Sequence, residues 1–290
     1  MKYYYKDYDE DFVKTKNQAK KIPDDYQWIK RNPFAIIFGA IAFRILKVYG
    51  FFYAKIILHL KVEGAEKINN YRYKASSRNA TQKYAKLGQS SLSGKGGYYV
   101  YANHTLPLGD VFNPALYNPV HPYYICDSSN LGIPILGPIL PFVGALPIPD
   151  SIRGKKHLFD AISYRAKRGN AIIIYPEAHV WPYYTKIRPF GTAAFNFPIR
   201  DDLPVFTATT VFNQPKKEGK KPRITIYIDG PFYPKGEKLT KKEKIKSLHY
   251  QVAQQLTKRA KLSDYEYHEY EKVTSAEKKD KEEKTKVIYK

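Results

Sequence analysis

The sequence predicts an α/β fold, with a mixed, mainly parallel β-sheet flanked by helices, because strand-like and helical segments alternate along its central part. Two longer segments, Gly154–Lys167 and Lys241–Ala260, have apolar residues at helical spacing. Short runs rich in β-branched and aromatic residues have strand character: Tyr98–Ala102, Ala171–Tyr175, Leu203–Thr210 and Arg223–Ile228.

A strongly apolar zone from Pro33 to Leu60 precedes this body. It is interrupted by Arg44, Lys47, Lys55 and His59. At 3.6 residues per turn, the first three side chains fall within about 80° of one helix face. A broad apolar face with a narrow basic stripe predicts a membrane-docking helix, or a helix pair bent at Gly50, in the membrane interface. The longest uncharged run falls short of the ~20 residues of a spanning helix. The alternative is an amphipathic helix of the core.

The composition then divides the chain into three parts. Residues 1–60 contain a polar, tyrosine-rich start and the docking helices, and residues 61–262 form the α/β domain. Within that domain, residues 69–97 are polar and rich in Ser and Gly, which predicts a surface insertion. Residues 263–290 are rich in Lys and Glu and predict a charged tail that is solvated or loosely helical.

The charge balance is strongly basic. A formal net charge of +22 over 290 residues indicates an anionic partner, which can be a nucleic acid, an acidic membrane or an acidic protein. The sequence has no helix-turn-helix, zinc-finger or RNA-binding signature, so no nucleic-acid partner is expected. Anionic membrane lipids and an acidic carrier protein remain.

Cysteine and histidine usage narrows the chemistry further. The single cysteine, Cys126, excludes an intramolecular disulfide and is expected to be a small buried residue. The histidines match no compact zinc pattern, so no metal site is expected. They include His104, His121, His157 and His179. The polar start, Met1 to Asp11, does not resemble a secretory signal, and the predicted location is the cytoplasmic face of the cell membrane, as a peripheral or monotopic protein.

The segment Asn103-His104-Thr105-Leu106-Pro107-Leu108-Gly109-Asp110 contains the main candidate for catalysis. A strand delivers His104 to its carboxyl end, where α/β folds gather reactive groups. A neutral imidazole can accept a proton from an attacking hydroxyl, and a carboxylate on its other nitrogen fixes the tautomer. His104 and Asp110 therefore form a candidate catalytic pair, with a purely structural hydrogen bond as the alternative.

Further motifs follow this pair in a fixed order. They are Ile133-Pro134-Ile135-Leu136-Gly137, Gly144-Ala145-Leu146-Pro147-Ile148, Tyr175-Pro176-Glu177-Ala178, Pro189-Phe190-Gly191-Thr192-Ala193-Ala194-Phe195 and Leu203-Pro204-Val205. From about residue 60 to 231, the series resembles the PlsC-like glycerolipid acyltransferases. Those proteins have Asn-His-x4-Asp, Gly-x-Ile-x-Ile-x-Arg, Phe-Pro-Glu-Gly-Thr-Arg-Ser and Val-Pro-Val in the same order.

The resemblance implies a fold and an activity. It implies the glycerolipid acyltransferase fold with an N-terminal apolar helix pair, so that residues 61–262 are an acyltransferase domain. His104 is then the general base on an acceptor hydroxyl, Asp110 orients it, and Glu177 lines the acceptor site. The acyl donor is the thioester of acyl-CoA or acyl-carrier protein, with no further cofactor. The acceptor is a lysophospholipid, 1-acyl-glycerol-3-phosphate, in phospholipid biosynthesis.

The chain departs from the family pattern at three places. The spacing is His-x5-Asp, and Gly109 is expected to absorb the extra residue through unusual backbone angles. The family arginine after the Pro-Glu pair is missing, and so is the arginine of the Gly-x-Ile motif. His179, Lys186 and Arg188 are the candidates to replace them at the acceptor's phosphate, as is Arg153. The alternative is an acceptor without a phosphomonoester.

Two other classes remain open. A non-catalytic protein that binds anionic membranes predicts that His104→Ala leaves its activity unchanged. A hydrolase would direct the same pair at water, although the Gly-x-Ser-x-Gly nucleophile elbow is absent from the sequence.

Overall fold

A computed structural model describes residues 1–13, 20–75, 96–274 and 277 of the chain. It contains nine strands within those ranges: β1 Lys2–Tyr5, β2 Lys61–Glu63, β3 Tyr98–Ala102, β4 Pro122–Cys126, β5 Ala145–Pro147, β6 Ala171–Ile174, β7 Val205–Asn213, β8 Arg223–Phe232 and β9 Glu269–Lys272. The α-helices are α1 Pro33–Phe52, α2 Glu66–Ala75, α3 Gly109–Phe112, α4 Pro114–Tyr117, α5 Ile152–Lys167, α6 Asn196–Asp201 and α7 Lys241–Ala260.

Seven of the strands form one central sheet in the order β2-β8-β7-β3-β6-β4-β5. The pairing is parallel throughout except between β7 and β8, which run antiparallel. The predicted fold class, a mixed and mainly parallel sheet flanked by helices, is confirmed. The carboxyl ends of β3, β4, β5, β6 and β7 consequently meet at one edge of the sheet.

Both faces of the sheet are covered, because side chains along β3 alternate between two cores. Tyr99 and Tyr101 join the core that includes Leu158 of α5 and Val252 of α7. The intervening Tyr98, Val100 and Ala102 join the second core, which includes residues of α2 and of the segment that follows α1. All five residues of β3 are buried, so the strand that leads to His104 is held on both faces.

The apolar zone forms a single helix, which corrects the expectation of a helix pair. Asn32 caps α1, since its side chain accepts a hydrogen bond from the Phe34 N–H at 2.9 Å, and Pro33 begins the helix. The helix continues past Phe52 as a π-helical turn, Tyr53–Ile57. The helix runs through Gly50 without interruption, and Gly50 is a contact point: a Cβ there would lie 2.9 Å from Cβ of Phe112.

Most of this helix faces outward. Of α1, only Gly39 and Gly50 are buried. The exposed large apolar side chains are Phe34, Ile36, Ile37, Phe38, Ile41, Ile45, Val48, Tyr49, Phe51, Phe52, Ile56 and Ile57. By length and composition, the 25 residues from Pro33 to Ile57 are sufficient to cross a membrane, and 11% of their most apolar window is buried. The exposed face favours the predicted membrane contact over the alternative of a core helix.

The two ends of the described chain meet in a second, two-stranded sheet. β1 and β9 pair in parallel, with Lys2 opposite Glu269 and Tyr5 opposite Lys272. Part of the region predicted as a solvated or loosely helical tail is therefore a strand. Residues 275, 276 and 278–290 of that tail lie outside the described residues. So do residues 76–95 of the predicted insertion, which begins within the helix α2. The domain limits themselves stay a prediction.

Candidate active site

His104 lies just beyond β3, at the sheet edge where the parallel strands end. The preceding residue, Asn103, fixes the chain there with its buried side chain. Its Nδ2 donates to the carbonyl of Thr210 at 3.0 Å, and its Oδ1 accepts from the Thr210 N–H at 2.8 Å. This side chain therefore continues the hydrogen bonding between β3 and β7 beyond the end of β3. It fixes the backbone directly before His104.

The predicted contact between His104 and Asp110 is present. His104 Nδ1 lies 2.8 Å from Asp110 Oδ2. The same oxygen also accepts from the backbone N–H groups of Thr105 and Leu106, each at 2.9 Å. The carboxylate thereby holds both the imidazole and the turn that follows it. With Nδ1 engaged, Nε2 is the ring nitrogen left to exchange a proton with a substrate.

The turn absorbs the extra residue of the His-x5-Asp spacing in a way that differs from the expectation. Gly109 is the first residue of α3, and its φ is not in the left-handed region. A Cβ on Gly109 would lie 2.9 Å from Cβ of Leu106 and 3.0 Å from Nδ2 of Asn113. Glycine is thus required here for close packing, which lets α3 begin early enough to turn Asp110 back onto His104.

Tyr175 and the loop that follows it after β6 contact the ring and the backbone of His104. The Tyr175 ring stacks on the imidazole, with centroids 4.3 Å apart and an angle of 20° between planes. Its hydroxyl donates to the carbonyl of Asp110 at 2.5 Å. The His104 N–H donates to Glu177 Oε2 at 3.2 Å, and the His104 carbonyl accepts from the Trp181 N–H at 3.0 Å. The histidine side chain is still 18% exposed, so its free edge faces solvent.

Glu177 and Arg188, both predicted to bind the acceptor, instead bind each other. Arg188 donates to Glu177 from its backbone N–H at 2.9 Å and from Nη2 at 3.0 Å. Their side chains are 1% and 3% exposed. Burial raises the pKa of the Glu177 carboxyl, and the charge of Arg188 opposes that rise. The structure places these two charges inside the protein, where they hold the loop between them, and their role at an acceptor stays a prediction.

The remaining contacts of Arg188 reach the start of the chain. Its Nη1 donates to the carbonyl of Tyr8 at 3.2 Å, its Nη2 donates to the carbonyl of His179, and the guanidinium lies 4.9 Å from the centre of the Trp181 ring. Trp181 itself donates from Nε1 to the carbonyl of Glu10 at 2.7 Å. The N-terminal segment therefore covers the loop that holds His104.

The other predicted acceptor residues keep part of their exposure. The His179 side chain is 37% exposed, and its Nδ1 lies 3.7 Å from Oδ2 of Asp11. Lys186 is exposed on the same loop. Arg153, the further candidate, is exposed near the start of α5. Their role at an acceptor stays a prediction.

The thiol of Cys126, near this edge of the sheet, is unsuited to nucleophilic chemistry. Cys126, at the end of β4, is half-buried rather than fully buried, and burial raises the pKa of its thiol to about 12. It is therefore a thiol and not a thiolate at neutral pH. Across the described ranges, no group of three or more His, Cys, Asp or Glu residues is arranged to hold a metal ion.

Sequence reasoning missed two contributors to the site: the contacts of Tyr175 with His104 and Asp110, and the N-terminal segment. The sequence places Tyr175 at the end of a strand and in a motif, without a role at the histidine, and it leaves open whether the aromatic patch of Trp181, Tyr183 and Tyr184 is plain packing or a contact for the acceptor or acyl chain. Trp181 packs with the neighbouring Tyr184 and with aromatic side chains from both ends of the described chain: Tyr5, Tyr8, Phe12 and Tyr270. The high tyrosine content of the N-terminal segment was a signal of this packing, but the sequence does not identify its partner.

The fold and the site define an α/β protein with a His–Asp pair at the carboxyl edge of its sheet. No known family profile matches the chain, and no curated protein matches its sequence. Among solved structures, it is similar to the crystal structure of the 1-acyl-sn-glycerophosphate (LPA) acyltransferase PlsC from Thermotoga maritima. The two share 14% identity with a TM-score of 0.43, over 78% of this chain and 99% of that one. Similarity at this level carries no weight for function.

Proposed function

We propose that this protein is a membrane-associated acyltransferase that moves a fatty acyl group from acyl-CoA or acyl-carrier protein to a hydroxyl of a lysophospholipid or related glycerolipid. The observation that carries the proposal is the 2.8 Å contact between His104 Nδ1 and Asp110 Oδ2. It leaves Nε2 available in a partly open site beside an exposed apolar helix.

In this mechanism, Nε2 of neutral His104 accepts the proton of the acceptor hydroxyl while the oxygen attacks the thioester carbonyl. Asp110 stabilises the imidazolium that forms. The tetrahedral intermediate then expels the donor thiolate, which takes the proton from Nε2 and leaves as a thiol. The acyl group passes directly to the acceptor, and no acyl-enzyme or further cofactor is required. General-base catalysis of this kind contributes roughly 10²- to 10⁴-fold in rate.

The apolar helix supports the proposed membrane location. Its exposed face presents large apolar side chains, and Arg44, Lys47 and Lys55 are exposed on the same helix. Apolar side chains gain free energy on leaving water, and basic ones are attracted to anionic lipid. We place this face in the cytoplasmic surface of the cell membrane. Lipids of that surface are then partners of the protein.

The helix also lies beside the catalytic pair. Gly50 of α1 packs against Phe112 of α3, and α3 carries Asp110. Leu108 and Val111, on either side of Asp110 in sequence, are 56% and 40% exposed. A lipid hydroxyl in the membrane surface therefore has a short route to His104.

The acceptor implied by the sequence resemblance is 1-acyl-glycerol-3-phosphate. Lys186 and His179 are the proposed contacts for its phosphate, because both retain exposure on the loop after β6. A specific observation favours the second candidate, an acceptor without a phosphomonoester. Arg188, the strongest phosphate ligand of the predicted set, is buried against Glu177.

The test is to incubate the purified full chain with labelled acyl-CoA or acyl-carrier protein and a panel of lysolipids. Acyl transfer should occur with at least one acceptor and should be lost in His104→Ala and Asp110→Ala. His157→Ala is the matched control, because His157 is exposed on α5. Thioester loss without acylated product would indicate a hydrolase. Membrane binding without turnover of any donor, unchanged in His104→Ala, would instead support a non-catalytic lipid-binding protein.

A further inference from the structure

Tyr175 follows β6 directly, and β6 pairs in parallel with the strand that delivers His104. In that register Ile174 lies opposite Tyr101, so Tyr175 is the first residue past the paired region. Its side chain extends to two different parts of the catalytic pair. The ring lies over the imidazole of His104, and the hydroxyl donates to the carbonyl of Asp110.

We propose that Tyr175 is a positioning residue for acyl transfer, acting on both members of the His104–Asp110 pair. This inference rests on the proposed function. The ring fixes the plane of the imidazole, so that Nδ1 points to Asp110 and Nε2 to the acceptor. The hydroxyl fixes the first turn of α3, so that the Asp110 carboxylate stays in line with Nδ1.

The ring has a second effect, which follows from the charge that His104 acquires. An aromatic face attracts a cation and does so more strongly when water is excluded. When His104 takes the proton of the acceptor hydroxyl, the imidazolium therefore lies against the π-face of Tyr175. The ring therefore stabilises the imidazolium more than an aliphatic side chain would.

Other groups around His104 do not duplicate this effect. The charged side chains in contact with it are Asp110, from α3, and Glu177, from the loop after β6. Glu177 reaches the backbone N–H of His104 and is paired with Arg188. Burial keeps the Tyr175 hydroxyl protonated at neutral pH by raising its pKa, so Tyr175 donates a hydrogen bond and adds no charge.

Two substitutions separate the ring from the hydroxyl. Tyr175→Phe keeps the stacked ring and removes the donor to Asp110. Tyr175→Leu removes both. The control is Tyr98→Leu, since Tyr98 is a fully buried tyrosine of the same core at the opposite end of β3, where its hydroxyl bonds to Asn118.

The readout that does not depend on turnover is the NMR chemical shift of the imidazole C–H groups of His104 in the full-length protein, which the ring current of the stacked Tyr175 ring displaces. We expect Tyr175→Leu to remove this displacement, while Tyr175→Phe and Tyr98→Leu leave it in place. In acyl-transfer assays, Tyr175→Leu should lower kcat by up to about 10²-fold with little change in KM. Tyr175→Phe should have a smaller effect on kcat.

An unchanged chemical shift of the His104 ring together with an unchanged kcat in Tyr175→Leu would overturn the proposal, and so would an equal change of that chemical shift in Tyr98→Leu. If Tyr175→Leu does not fold, Tyr175→Met takes its place, because methionine fills the volume flexibly and has no aromatic face. A changed chemical shift of the His104 ring in a protein that transfers no acyl group would support the positioning role and reject the proposed function.

Discussion

The carboxylate of Glu177 lies between the guanidinium of Arg188 and the backbone N–H of His104. One side chain thus connects a buried ion pair to the main chain of the candidate base. Because both charges are withdrawn from water, the pair holds the loop in place but leaves neither charge free for a substrate.

Removing one member of this pair should destabilise the protein strongly. Arg188→Met leaves the Glu177 carboxylate buried without its partner and should lower the free energy of unfolding by about 3–5 kcal/mol. Urea denaturation measures this loss. Arg153→Met, an exposed control, should change it by less than about 0.5 kcal/mol. The double variant Glu177→Gln/Arg188→Met should recover part of the loss, and equal losses in single and double variants would contradict a buried pair.

A second prediction concerns acid stability and His121. Burial, with the charge of Arg165 adding to it, lowers the pKa of His121 to about 4. A histidine whose pKa is depressed in the folded state stabilises the fold above its unfolded pKa of about 6.5, and this stability is lost as the pH falls toward 4. The loss amounts to about 3 kcal/mol below pH 4.

His121→Phe should remove that part of the pH dependence. We expect the free energy of unfolding of the variant to fall less than that of the wild type between pH 7 and pH 4, as measured by urea denaturation at each pH. The His121 ring packs against Phe43 of α1, with centroids 4.0 Å apart, so an aromatic replacement preserves that contact. If the free energy of unfolding falls equally in the two proteins between pH 7 and pH 4, His121 is not buried in its neutral form.

Membrane attachment should depend on the exposed face of α1. Aspartate in place of Ile37 or Ile45 of α1, or of Ile56 in the π-helical turn that continues it, should weaken binding to anionic vesicles by roughly ten-fold or more per substitution. These three side chains are 57%, 63% and 60% exposed. Flotation or sedimentation with vesicles measures the binding. Phe159→Asp, at an exposed position of α5, is the control and should bind as the wild type does. Equal binding by all four variants would exclude α1 as the anchor.

The N-terminal segment should matter for catalysis and not for attachment. Deleting residues 1–13 removes the carbonyls of Tyr8 and Glu10 that accept from Arg188 and Trp181. The loop that holds His104 then loses its cover, and acyl transfer should fall by at least about ten-fold while vesicle binding persists. Full activity in the truncated protein would contradict this role.

The hydrogen bond from Trp181 to the carbonyl of Glu10 should contribute to stability. Trp181→Phe loses this bond and should lower the free energy of unfolding by about 1 kcal/mol.

Parts of the fold were predictable because local and tertiary signals agree. Tyr98–Ala102 and Lys241–Ala260 have the predicted limits, and the second begins at a capping box formed by Thr240 and Glu243. β7 and β8 extend beyond their predicted ends, to Asn213 and Phe232. The two strands pair antiparallel with each other along these extensions, and a pairing between separate segments is not visible in the local pattern of either one.

The candidate site was likewise predictable where its residues are close in sequence. His104 and Asp110 are close in sequence, so a strand end and a short turn suffice to bring them together. The stacking of Tyr175 requires the register of two strands separated by about seventy residues of chain. The charges of Glu177 and Arg188 can be read from the sequence, whereas their pairing and burial depend on how the intervening loop folds back.

The pairing of β1 with β9 has a consequence for the order of folding. Every strand of the central sheet lies between these two strands in sequence, so their pairing closes a loop that contains that whole sheet. Closing so long a loop is entropically unfavourable until the intervening chain is compact. Trp181 and the loop behind His104 therefore gain their complete aromatic cover only after the central sheet has formed, and the catalytic centre is the last part of the molecule to mature.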